Sequence, residues 1–101
     1  RDYTDVRDVA TAYLTLAFAH THQHDTYNVA TGTAHTGREV LTTIAKALGR
    51  PVPPTTVDPA RLRPNDPLTI VGDATRLRNE YDWEPAVAWT QSIEERIAQA
   101  R

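Results

Sequence analysis

Thr26-Tyr27-Asn28-Val29-Ala30-Thr31-Gly32-Thr33, then Thr36-Gly37-Arg38-Glu39-Val40-Leu41, then Val52-Pro53-Pro54-Thr55-Thr56-Val57 is the run of sequence whose reading decides the fold. The first segment is rich in β-formers and closes on a glycine turn, which predicts a strand over 26–30. In the second, Thr36 and Glu39 have the spacing of a capping box, and Val40, Leu41, Ile44, Ala45 and Leu48 fall on one helical face. Gly49 supplies the stop and Pro51 lies just beyond it. The third segment is extended, and Pro53 and Pro54 confine it to an edge position if it pairs at all. Strand, helix, strand over 26–57 predicts a small βαβ unit, crossing over right-handed.

Outward from that unit, Asp5 to about Ala19 reads as a helix. Val6, Val9, Ala10, Tyr13, Leu14 and Ala17 recur at helical spacing, and Thr4 or Asp5 can cap the first turn. Residues 20–25 read as a polar loop, and Asp58 to Pro67 as a proline-punctuated loop carrying two arginines. Leu68-Thr69-Ile70-Val71 is a short apolar run whose type its pattern leaves open. Asp73 caps a brief helix through Leu77 to about Tyr81. After Trp83-Glu84-Pro85, a last helix from about Trp89 to Ala100 buries Trp89, Ile93 and Ile97. The expected fold class is therefore α/β: about four helices with a short two- to three-stranded sheet.

With 101 residues there is room for one domain, 1–101, and not for two. Apolar and charged fractions of 40% and 24% are those of a globular protein. No apolar run approaches the ~20 residues that cross a bilayer, and no segment reads as a signal peptide. Cysteine is absent, which excludes disulfides and a thiol nucleophile and fits a cytoplasmic protein. A net charge of −2 argues against nucleic acid as a partner, since phosphate backbones need a basic surplus. It leaves room for a local anion site made from a few arginines.

Arg61-Leu62-Arg63-Pro64-Asn65-Asp66 is the sharpest such signal. Pro59, Pro64 and Pro67 stiffen the loop, a guanidinium can grip phosphate in bidentate fashion, and an acid three residues on can accept from a ribose hydroxyl. The competing reading is a solvated loop whose charges pair with each other. His20, His22 and His24 alternate as metal ligands would, but no carboxylate or further histidine completes the set. They read as a solvated loop, with no metal expected. Catalytic residues are expected to be absent: Ser92 is the only serine, and Gly32, Gly37, Gly49 and Gly72 are too dispersed for a dinucleotide fingerprint. Asp2, Asp5 and Asp8 read as helix-dipole partners, and Tyr13, Trp83 and Trp89 as core.

Taken in order, six segments resemble the extended short-chain dehydrogenases/reductases, the NAD-dependent epimerase/dehydratase family. They are Arg1-Asp2-Tyr3-Thr4-Asp5-Val6-Arg7-Asp8-Val9-Ala10, Tyr27-Asn28-Val29-Ala30-Thr31-Gly32, Arg38-Glu39-Val40-Leu41, the loop from Asp58 to Asp66, Gly72-Asp73-Ala74-Thr75-Arg76-Leu77 and Asp82-Trp83-Glu84-Pro85. Within the family, the first segment and the loop look most like GDP-mannose 4,6-dehydratases and GDP-4-keto-6-deoxymannose reductases, with UDP-glucose 4-epimerases next. Ala30 and Asp82 stand where the family usually has glycine, and Ala88 where it has Ser or Thr.

The resemblance implies a C-terminal substrate-binding region. Arg1 and Arg63 would contact the diphosphate of a nucleotide sugar, most of all a GDP-sugar, and Asp66 the ribose. It also implies that NAD(P) and a Tyr-x-x-x-Lys pair lie in an upstream Rossmann domain. No such pair stands here, because Thr42 precedes Lys46 by four residues and Arg7 follows Tyr3. The chain holds no Met and begins at Arg1, so it is expected to be a fragment, inactive alone, whose partner is that missing domain. Separation from it is expected to expose an apolar patch and to favour self-association. A free-standing nucleotide-sugar-binding module is the alternative.

Overall fold

The Asp5 side chain accepts from the backbone N–H of Arg7 and so starts α1 (Val6–Phe18). The computed structural model describes residues 1–61 and 69–100. Thr36 caps α2 (Gly37–Leu48) through its side chain to the N–H of Glu39, and Gly49 closes it with a left-handed φ of 68°. A single 3-10 turn follows at Pro59–Arg61. The Asp73 carboxylate receives the Thr75 N–H at the start of α3 (Thr75–Tyr81). The last element is α4 (Trp89–Ala100), which packs on α2.

The α/β expectation is corrected. Among the described residues there is no strand, so neither the two- to three-stranded sheet nor the βαβ unit exists. Residues 26–31, 52–57 and 69–73 are outside any helix, but none finds a ladder. Pro51, Pro53 and Pro54 remove amide donors from one of them. The N–H groups of Thr31, Gly32 and Gly72 go instead to a side chain, the carboxylate of Asp2. A strand is defined by its partner, and here a carboxylate occupies the partner's place.

The core is small: Ala12 from α1, Ala74 and Leu77 at α3, and Trp83, with Leu16, Tyr27, Val29 and Tyr81 packed around them. This overturns the expected orientation of α1. Its inward side is the one carrying Asp8, Ala12 and Leu16, whereas Val6, Tyr13, Leu14 and Phe18 are 77%, 66%, 58% and 80% exposed. Tyr13 is therefore not a core residue. Trp83 is buried, and Trp89 is half-buried against the His35 ring, with ring centroids 3.9 Å apart. The molecule is a slab of 51 × 38 × 17 Å, about one helix layer thick.

Asp2, Asp5 and Asp8 do not share the helix-dipole role expected of them. Asp5 is the N-cap. Asp8 is buried, and its carboxylate accepts the N–H groups of Ala86 at 3.0 Å and Val87 at 3.1 Å. Asp2 lies ahead of the helix and serves the crossing described next.

Candidate functional site

Arg1, Arg63 and Asp66 are the residues the sequence nominates for substrate. Arg63 and Asp66 lie outside the described residues. Arg1 is exposed, and its backbone is fixed: its carbonyl accepts from the His35 N–H at 2.8 Å, and its own nitrogen donates back to the His35 carbonyl at 2.9 Å. Two reciprocal bonds of this kind set the direction in which the Arg1 side chain leaves the backbone.

Asp2 completes the anchoring. One carboxylate oxygen takes the Thr31 N–H at 3.2 Å and the Thr31 hydroxyl. The other takes the Gly32 N–H at 2.8 Å and the Gly72 N–H at 3.2 Å. Partial burial works to raise the carboxyl pKa, but these donors, Thr31 foremost, outweigh it and hold the pKa below the usual range. One charged group thus ties three distant segments into a crossing, with Arg1 beside it.

Close approach at that crossing depends on glycine. A Cβ placed on Gly72 would stand 2.3 Å from the Cβ of Ala30, and Gly32 turns the chain with φ of 80°. Ala30, where the resemblance leads one to expect glycine, is accommodated because its opposite number has no side chain. Beside the crossing opens a cleft of ≈ 440 Å³ lined by Tyr3, Thr31, Thr33, His35 and Trp89 among others. Glu39 bonds the His35 ring at 2.9 Å, and this bond holds the Glu39 carboxyl below its usual pKa.

Of the arginine loop, the described end supports the self-pairing reading for one residue. Arg61 lies 3.6 Å from the carboxylate of Asp58, which also accepts the Ala60 N–H, and Arg61 is exposed. The histidines of residues 20–24 serve a polar aromatic cluster that the sequence did not announce. The His22 ring nitrogen meets the Tyr81 hydroxyl at 2.6 Å, Tyr27 donates to Glu80, and the Gln23 N–H binds Glu80 at 2.9 Å. Burial and the neighbouring Glu80 carboxylate push the Tyr81 phenol up to about 12. Periodicity gives no sign of such a cluster. The signal available was compositional: two tyrosines and an acid within reach of a histidine-rich loop.

The glycines do not fit a dinucleotide. Gly32 and Gly72 are engaged at the Asp2 crossing, Gly37 opens α2, Gly49 closes it, and no described strand leads into a glycine turn.

Comparison with known proteins agrees with this geometry. The model of the family described as GDP-mannose 4,6 dehydratase matches residues 1–96. Among curated proteins, the UDP-glucose 4-epimerase of Azospirillum brasilense is 32% identical over 99% of the chain and 32% of its own length. The GDP-6-deoxy-D-mannose reductase of Pseudomonas aeruginosa is 32% identical over 92% of the chain and 30% of its own. The UDP-glucose 4-epimerase of Lactobacillus helveticus is 33% identical over 84% and 26%. The chain thus spans about a third or less of the length of these relatives. No solved structure gives a significant match. Among the described residues no helix is long and apolar enough to cross a membrane.

Proposed function

This chain belongs to the GDP-mannose 4,6 dehydratase family, and from that premise we propose that it is the nucleotide-sugar-binding part of a cytoplasmic dehydratase or reductase acting on GDP-mannose or a similar GDP-sugar. The observation carrying the reading is the Asp2 crossing: it fixes the backbone of Arg1 beside the Thr31-Gly32 turn and Gly72, a few residues after the Arg63 loop. In this proposal Arg1 and Arg63 neutralise the diphosphate, each charge-assisted bond contributing about 1.5–3 kcal/mol, and Asp66 accepts from the ribose. NAD(P) and the groups that act with it belong to a separate domain, and this chain's share is to bind and orient the substrate.

Calorimetry with GDP, GDP-mannose, UDP and dTDP tests the reading. Preferential binding of the guanine ligands, weakened about tenfold or more by Arg63→Ala, is the expected result. Negligible binding of all four to a folded sample overturns it. The two epimerases among the relatives favour one second reading, a UDP-sugar site, which the UDP arm would reveal.

A further inference from the structure

We infer that the outer face of α1 is a seam on which a dinucleotide-binding α/β domain seats, an inference that rests on the functional reading above. α1 is apolar on two sides. The inward side carries Ala12 and Leu16 to the core. The outward side carries Val6, Ala10, Tyr13, Leu14, Ala17 and Phe18 at helical spacing, none of them charged, and all six are exposed. Single exposed apolar residues are ordinary, but a continuous stripe roughly 20 Å long on an otherwise polar slab marks a contact surface.

The surface area argues for the size of the occupant. The chain exposes 7900 Å², whereas a compact monomer of its 11.3 kDa exposes about 5,700 Å². The excess, about 2,000 Å², is more than the ~800 Å² per side of a standard interface and is in the range of obligate ones. A second copy crossing along α1 would cover only the side chains near the crossing and leave most of the excess in water. A whole domain is required. The relatives have roughly twice as much chain outside the matched region as inside it, enough for one. The stripe's lack of charge selects a partner face that is itself apolar, such as the outside of an α/β layer.

The absence of cysteine gives a direct test, because each introduced thiol is the only one in these 101 residues. Tyr13→Cys, Leu14→Cys and, on the exposed side of α2, Thr42→Cys are placed in the 101-residue chain and in the longest product of the reading frame that contains it. Maleimide labelling is read by mass spectrometry without nucleotide, so a failure of sugar-nucleotide binding and a failure of the seam are separate results. The expected result is labelling at 13 and 14 at least about 100-fold slower in the longer product, with 42 unchanged. Equal rates in both chains, or a reading frame with no further domain, overturn the inference. So does protection within the 101-residue chain that rises with its concentration, which assigns the face to a second copy.

Discussion

The indole N–H of Trp83 donates to the backbone carbonyl of Asp8 at 3.1 Å, joining residues 75 apart in the sequence. The Asp8 carboxylate completes the join by accepting from Ala86 and Val87. Removing it leaves two amides without acceptors in a water-poor setting. Asp8→Ala is expected to lower unfolding free energy by about 2–4 kcal/mol, measured by urea denaturation. A loss under about 0.5 kcal/mol would mean that water replaces the carboxylate.

The contact between Gly72 and Ala30 predicts a compensating pair. Gly72→Ala sets two Cβ atoms 2.3 Å apart and is expected to cost about 1–3 kcal/mol through displaced backbone. Ala30→Gly in the same chain should recover most of that loss. Additive effects in the double-mutant cycle would show that the two positions do not meet.

Asp82 offers a stabilising change. It closes α3 with φ of 55°, a left-handed conformation that L-residues adopt at a cost, and its N–H donates to the Arg78 carbonyl. Asp82→Gly is expected to raise unfolding free energy by about 0.5–1 kcal/mol, the lower strain outweighing the greater freedom of the unfolded chain. A lower thermal midpoint would count against this account.

The pH profile should fall at both ends. Donors from Thr31, Gly32 and Gly72 overcome burial and depress the Asp2 carboxyl, so its contribution is complete above the unfolded value of about 3.9 and is lost as pH drops through the lower folded one. Asp2→Asn should therefore flatten the acid limb below about pH 4. At the other end, burial and Glu80 raise the Tyr81 phenol to about 12, so its contribution holds up to pH ~10 and declines toward 12. Tyr81→Phe should flatten that alkaline limb, as followed by fluorescence of Trp83.

The helices were legible because their signals are local. Thr36, Glu39 and Gly49 announce both ends of α2 within fourteen residues, and Asp5 announces α1. The sheet was misread because a run of β-formers states a backbone preference and says nothing about a partner; around Thr31 the partner is Asp2, 29 residues away. The face of α1 was misread for a related reason. A 3.6-residue period locates an apolar stripe, but on a helix apolar on two sides it does not say which side meets this chain's core. Asp2, Asp5 and Asp8 share a spacing yet do three jobs, each set by segments remote in sequence. Of the candidate site, Arg1 was legible from its motif, while the carboxylate beside it was assigned to a helix it does not join.

The join between Asp8 and residues 83–87 also bears on synthesis. Asp8 leaves the ribosome 79 residues ahead of Val87. At ~5–20 residues per second, α1 must wait about 4–16 s for the amides that will hold it. Through that interval its buried aspartate is still in water and both its apolar sides are bare. The nascent helix is therefore a natural client for a chaperone, and the last turn of translation before α4, rather than the first, commits this chain to its fold.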